Sequence, residues 1–524
     1  MFHFGFSYVG LIFLLMLFIP NGIWTKNQPE GYEKYSKNEN KVLAMFERIG
    51  QVMATIFLLI FSDTNPRASY WTVFLIAAIL LMVLYDICWV RYFKSKKTML
   101  DYYGGYFKIP VPLASLPVVS MFLLGIYGSN VFLIVASIIL GIGHIGIHLG
   151  HRNEAWKDLG IAPKKVNKAV KVLRVFLISI VCLIFAVISI VIAIRNVTYI
   201  THVSKATSGV VESHYIELGG EQQYIFERGN DINNPVIIYL HGGPSSPDSY
   251  ETYVFTDYLA DNYTVISWDQ RGCGRTYFAN NDGNCPDSSV DFERAVEDLD
   301  ELVDYALEKY NKDEVIIMGW SYGTILGTRY ITEHPEKVSS YIGIGQFVDM
   351  VTNEQMGYDV ALEMSYAHCT GTAELQQAYE RYQETGALPE MLALRNLTYP
   401  FLSTNQTHAK DLTLPAVFSP YFGMDDFRWF LLQLGDVNNY LTYNQPLFDY
   451  LTVNTREFGT EYDIPVYYIT GSADYTCNPT LVGLFIEELS APEIEFFIMD
   501  GCGHGCHYDN AAEFANLINI CLGE

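Results

Sequence analysis

Hydrophobic residues follow two different patterns along this chain, and the change comes near residue 200. Before it lie long apolar runs at 4–19, 53–61, 71–90, 111–127, 131–149 and 172–194, several of them long enough to span a bilayer. The second reaches that length only if it extends back to about Lys41, taking in Glu47 and Arg48. After the change the apolar runs are short and β-rich, and they alternate with stretches of helical spacing. Residues 213–218 and 223–228 read as a hairpin turning at Gly219-Gly220. Residues 235–240, 263–268, 314–318, 341–347, 464–470 and 494–499 read as further strands. Phe292, Val296, Leu299, Leu302 and Val303 share one face of a helix over 290–309. Such alternation predicts an α/β fold with a doubly wound, mainly parallel sheet. From 349 to 462 the pattern turns to aromatic and Leu-rich helical stretches divided by Pro400, Pro415 and Pro420, which predicts an inserted helical cap over a water-excluding pocket. The expected organisation is a multi-pass region of about six helices (1–195), a polar linker (196–209), the first part of an α/β core (210–348), the cap (349–462) and the second part of the core (463–524).

Charge orients the apolar runs. Lys26, Lys34, Lys37 and Lys41 follow the first run. Arg91, Lys94, Lys96, Lys97 and Lys108 separate the third from the fourth, and Arg152, Lys157, Lys164, Lys165, Lys168 and Lys171 separate the fifth from the sixth. Arg67 is the one positive residue in the other two connections. Positive loops stay cytoplasmic, so six spans would place the carboxyl-terminal half outside. The first run has no Lys or Arg ahead of it, unlike a signal peptide, and is expected to be a retained helix.

The 524 residues carry a net charge of −25. Residues 1–195 hold 19 Lys and Arg against 9 Asp and Glu, so the remainder holds 14 against 49. So acidic a domain is expected to repel nucleic acid and attract cationic peptides, although a solubility role alone explains the charge equally well. Cys88 and Cys182 fall in apolar runs. Cys273, Cys285, Cys369, Cys477, Cys502, Cys506 and Cys521 fall in the acidic half, where an external compartment would permit disulfides, although an odd number leaves at least one unpaired within the domain. His144, His148 and His151 share a helix face. With ligands offered from one helix only, interfacial or packing histidines are the favoured reading over a metal, haem or proton site.

The chemistry centres on Gly319-Trp320-Ser321-Tyr322-Gly323, which lies between a strand and a helix-like stretch. Strand, G-x-S-x-G, helix is the layout of a nucleophile elbow. Upstream, Leu240-His241-Gly242-Gly243-Pro244 ends another strand. Acyl transfer needs two backbone N–H groups for the oxyanion, and Gly243 and Tyr322 are the expected donors. Downstream, Asp474 and His504 each follow a strand, completing the order Ser…Asp…His, with His504 as base and Asp474 holding its tautomer. His507 is the rival histidine, expected at the surface. A metal set of Cys502, His504, Cys506 and His507 lacks a matching second ligand pair. Nothing calls for a cofactor.

His241-Gly242-Gly243-Pro244, Trp268-Asp269-Gln270-Arg271-Gly272-Cys273-Gly274-Arg275, the elbow, Asp474 and Gly503-His504 together resemble the proline iminopeptidase family of α/β-hydrolases, from about residue 210 to the end. The resemblance implies a serine peptidase releasing an N-terminal residue, often proline, from short peptides, with Ser321, Asp474 and His504 as triad and Gly243 and Tyr322 as oxyanion hole. It also implies cap carboxylates for the substrate ammonium. Glu354 is the first candidate and Asp349 the second, each equally readable as a solvated acidic helix start. Trp320 is the other expected substrate-binding residue. The family has H-G-G-P-G where Ser245 follows the proline here, and often G-G-S-W-G at the elbow, which leaves the proline preference open. The expectation is a multi-pass cell-membrane protein with an extracytoplasmic serine aminopeptidase. An esterase or amidase on small non-peptide substrates is the alternative, and from another class a non-catalytic sensing module coupled to the membrane region.

Overall fold

A computed structural model describes residues 3–37, 39–67, 69–106, 109–161, 168–280, 290–367, 372–403, 406–435 and 444–523. Lys108, Lys164, Lys165, Cys285 and Cys369 lie outside these residues. The chain forms two compact units, Met1–Ile200 and Thr201–Glu524.

The first unit is built from apolar helices: α1 (Tyr8–Trp24), α2 (Lys41–Ile60), α3 (Thr72–Lys94), α4 (Pro112–Tyr127), α5 (Val131–Asp158) and all but the last five residues of α6 (Lys168–Lys205). By length and composition α2, α3, α5 and α6 could each cross a membrane, while α1 and α4 are shorter, at 17 and 16 residues. Their ends follow local chemistry. Asn40 caps α2 by accepting from Val42 N, Asn130 caps α5 by accepting from Leu133 N, and Pro112 occupies the first turn of α4, where no N–H is needed. Small hydroxyls inside the bundle bond to backbone: Ser120 Oγ on α4 donates to Ala78 O on α3 at 2.7 Å, and Ser137 Oγ on α5 to Leu133 O at 2.7 Å. Helix α6 differs from the expected linker, since it runs on through its polar end to Lys205. Asn196 does not break it because its amide donates to Ile192 O one turn back, at 2.8 Å, and to Ser129 O.

Among the described residues the second unit holds an eight-stranded sheet in the order β1-β2-β4-β3-β5-β6-β7-β8. The strands are β1 (Val210–Leu218), β2 (Glu221–Gly229), β3 (Val236–Leu240), β4 (Thr264–Asp269), β5 (Val315–Trp320), β6 (Val338–Ile344), β7 (Val466–Gly471) and β8 (Ile494–Met499). The opening hairpin is antiparallel and joins β4 antiparallel; every other pairing is parallel. A parallel strand covered on both faces must be apolar throughout, and β3, Val-Ile-Ile-Tyr-Leu, is buried at every position. Helix α7 (Phe292–Tyr310) turns Phe292, Val296, Leu299, Leu302 and Val303 inward and is capped by Asp291, which accepts from Arg294 N. Helix α8 (Tyr322–Glu333) follows β5 directly. Between β6 and β7 the chain leaves the sheet to form helices that include α9 (Met350–Ala367), α10 (Ala373–Thr385), α11 (Leu388–Leu402) and α12 (Met424–Gly435).

Candidate active site

Ser321 sits on the turn between β5 and α8 with φ 55° and ψ −120°, a conformation that a non-glycine residue adopts only when its surroundings impose it. Its N–H donates to Ile344 O on β6 at 3.0 Å, and its carbonyl accepts from Thr324 N. Two glycines make the turn sterically possible. A Cβ on Gly319 would fall 2.5 Å from Gly323 O, and one on Gly323 would fall 2.2 Å from Leu240 O on β3. Strand and helix therefore close tightly, and the serine is left partly exposed at the carboxyl edge of the sheet.

Asp474 and His504 reach the same edge from the ends of β7 and β8. His504 Nδ1 lies 2.9 Å from Asp474 Oδ2 and 3.0 Å from Oδ1. The carboxylate is buried and also accepts from Thr476 N and Cys477 N at 2.9 Å each, so it is held on three sides, while the imidazole stays partly open to solvent. Cys477 stands beside both Asp474 and Ser321. Burial drives its thiol well above the usual range and Asp474 adds to the push, with Ser321 as a hydrogen-bond partner.

The H-G-G-P loop runs alongside the serine, since a Cβ on Gly242 would lie 3.2 Å from Ser321 Cβ. Gly243 has φ 122° and precedes a cis proline. His241 holds the loop from within. Its Nδ1–H donates to Gly242 O at 2.8 Å, its Nε2 accepts from Gln270 N, and burial takes its pKa down to about 4, so it is neutral. The D-Q-R-G-C-G-R segment is a clamp. Asp269 accepts from Ser249 Oγ and Arg275 N. Arg271 grips buried Asp298 with two nitrogens and pairs with Glu221. Arg275 pairs with Asp426 of α12, which ties the core to the cap.

The other expected residues are placed as follows. Glu354 lies buried on α9 with Oε1 accepting from Arg395 of α11 through Nε at 2.9 Å and Nη2 at 2.5 Å. Its Oε2 hydrogen-bonds to none of the described residues. Asp349 caps the start of α9, accepting from Val351 N and Thr352 Oγ1, so it serves as the acidic helix start. Trp320 donates from Nε1 to His504 O at 2.9 Å and packs its ring against His504 and His507. His507 is fully buried, not at the surface. It sits among Phe255, Tyr508 and Phe514, 3.3 Å from Tyr239 OH, and burial drives its imidazole well below the usual range. The described cysteines Cys88, Cys182, Cys273, Cys477, Cys502, Cys506 and Cys521 are all free. Sequence reasoning missed Arg395 and Cys477. The Cys477 position, three residues after the candidate acid, was the available signal; Arg395 had none, being 41 residues from its partner.

Comparison with known proteins adds the following. The family profile described as alpha/beta hydrolase fold matches residues 235–511. The chain is 24% identical to the probable aminopeptidase YbaC of Bacillus subtilis over 312 residues, covering 58% of this chain and 94% of that one. It is 29% identical to the proline iminopeptidase of Neisseria gonorrhoeae over 138 residues, covering 26% of this chain and 40% of that one, less than half of that relative's length. Among solved structures, a proline iminopeptidase from Mycobacterium smegmatis is 18% identical with a TM-score of 0.41, over 60% of this chain and 98% of that one.

Proposed function

This chain belongs to the α/β-hydrolase fold family, and we propose that it is a membrane-anchored serine hydrolase of proline iminopeptidase type, releasing N-terminal residues from short peptides through an acyl-serine intermediate. One observation carries the reading: a buried carboxylate, Asp474, holds Nδ1 of the partly open His504 at 2.9 Å, on the sheet edge where a strained turn presents Ser321.

Ser321 Oγ attacks the carbonyl of the N-terminal residue while His504 Nε2 takes its proton. Asp474 fixes the tautomer and stabilises the imidazolium that forms. The N–H groups of Tyr322 and Gly243 receive the oxyanion. His504 then protonates the leaving amine, and a water activated by the same imidazole releases the acyl group. No cofactor enters. Glu354 Oε2 binds the substrate ammonium while Oε1 stays with Arg395, and Trp320 lines the site beside His504. The apolar helices of the first unit anchor the enzyme in a lipid bilayer, and the positive loops favour an extracytoplasmic hydrolase.

The test uses the full chain in detergent. A fluorophosphonate probe labels wild type and not Ser321→Ala, and proline and other aminoacyl amides are turned over. Turnover of esters alone would replace the peptidase with an esterase. Ligand binding without turnover or labelling would leave a sensing module.

A further inference from the structure

Helices α2 and α5 approach backbone to backbone. A Cβ on Gly143 would fall 2.2 Å from Glu47 N and 2.6 Å from Leu43 O, and one on Gly50 would fall 2.5 Å from Leu140 Cα. Small residues at such crossings let apolar helices pack closely. Here the close approach brings Glu47 of α2 against His144 of α5, with Oε1 2.5 Å from Nδ1. His148 lies one turn further along α5, its ring centroid 4.5 Å from that of His144, and it hydrogen-bonds to none of the described residues. One donor atom from each of Glu47, His144 and His148 lies within 4.8 Å of the other two. His151 is turned elsewhere: its Nδ1 lies 3.1 Å from Tyr103 OH and its Nε2 3.5 Å from Glu39.

All three donors line a cavity of about 650 Å³ whose other walls include Leu14, Trp24, Tyr85 and Trp89. A carboxylate and two imidazoles in such a wall are costly unless paired or coordinated. The Glu47–His144 contact answers for two of them and leaves His148 without a hydrogen-bond partner among the described residues. Two histidines at i and i+4 on one helix face, with a carboxylate from a second element, form the His₂Glu set that holds zinc in catalytic sites and leaves a fourth position open. With bonds of about 2.0–2.1 Å, tetrahedral ligand atoms stand about 3.4 Å apart. The present separations, from 2.5 Å to within 4.8 Å, bracket that value, so side-chain rotation closes the set. Mixed imidazole and carboxylate donors select zinc-class ions over magnesium or calcium.

We propose that Glu47, His144 and His148 bind a divalent transition-metal ion of the zinc class, with its fourth coordination position opening into the cavity among the helices. The ion displaces the hydrogen bond between Glu47 and His144, and any proton it carries passes to solvent.

The test uses the full chain in detergent, stripped with a chelator and reloaded with cobalt(II). Wild type takes up one equivalent, with the intense visible band of a tetrahedral site, and zinc displaces it. Glu47→Gln and His148→Asn each weaken uptake by at least about 100-fold, beyond what loss of an outer-shell partner costs. His151→Gln and His214→Gln leave it unchanged, the latter because it disturbs only the separate donor group Glu212, His214 and Glu227. His148→Cys retains a donor, so its cobalt form gains a thiolate charge-transfer band. Wild type that takes up no cobalt overturns the assignment, as does loss of the visible band in His214→Gln or a cobalt-loaded His148→Cys without the thiolate band.

Discussion

Replacing Asp474 with asparagine is the sharpest probe of the candidate site, because the surrounding hydrogen bonds dictate how the amide must sit. Oδ1 accepts from Thr476 N and Cys477 N, both at 2.9 Å. An amide must keep its oxygen there, since its NH₂ would face two donors. The NH₂ then takes the place of Oδ2 and points at His504 Nδ1 from 2.9 Å. The retained oxygen also stands 3.0 Å from Nδ1, but it already accepts from two backbone N–H groups, so the nearer NH₂ sets the tautomer: Nδ1 becomes the acceptor and the proton moves to Nε2, where the imidazole can no longer accept from Ser321. The backbone N–H groups of the acid loop stay satisfied, so folding stability changes by about 1 kcal/mol or less. Catalysis loses its base: kcat falls by about 10³- to 10⁴-fold, about 4 to 5.5 kcal/mol of transition-state stabilisation. Turnover of an aminoacyl amide, followed beside thermal unfolding of the same preparation, reads both quantities. A folded Asp474→Asn protein within about tenfold of wild type, a difference of about 1.4 kcal/mol, would refute the assignment of the acid.

Three further outcomes follow from the same geometry. Glu354→Gln should raise KM about 10- to 100-fold for substrates with a free amino terminus and leave simple esters unchanged, since a charged hydrogen bond contributes about 1.5–3 kcal/mol; equal effects on both classes would remove Glu354 from amine binding. Arg271→Met should cost about 3 kcal/mol in thermal or denaturant unfolding because it strips two bonds from buried Asp298, toward the lower end of the usual range since Gln223 and Arg294 remain; Asp298→Leu in the same chain should recover most of the loss, and a neutral single variant would contradict the clamp. Burial raises the carboxyls of Asp248 to about 6, Asp269 to about 7 and Glu251 to about 8, with Asp248 the next cause for Glu251. A carboxyl whose pKa is higher folded than unfolded supports the fold fully below its unfolded value, about 4, and that support is lost as pH rises through the folded value. The unfolding midpoint of the hydrolase unit should therefore fall between about pH 5 and pH 8, and less steeply in Glu251→Gln; a midpoint that climbs across this window would count against the buried cluster.

What the sequence revealed and what it hid divide along a physical line. The α/β-hydrolase fold was legible because a buried parallel sheet demands continuous apolar strands, and β3, β5 and β7 supply them between segments of helical spacing. The extension of the second apolar run back to Lys41 was legible too, since a helix long enough to cross a bilayer has to take in the charges ahead of residue 53. The elbow could be read because a turn that tight admits almost nothing but glycine at its flanks. Pairings across the fold could not be read. Glu354 and Arg395 are 41 residues apart on different cap helices, and nothing in either helix's periodicity announces the other. The burial of His507 depends on Tyr239 and Phe255, each more than two hundred residues upstream. The histidines of α5 make the same point. Their spacing showed a shared face but offered ligands from one helix only, which favoured a packing role. The missing carboxylate comes from Glu47, 97 residues earlier, and reaches them because Gly143 lets α2 lie against α5. A larger residue at Gly143 should therefore separate Glu47 from His144 and weaken cobalt uptake while every proposed ligand remains in the chain. Uptake unchanged in Gly143→Leu would mean that the carboxylate does not belong to the donor set.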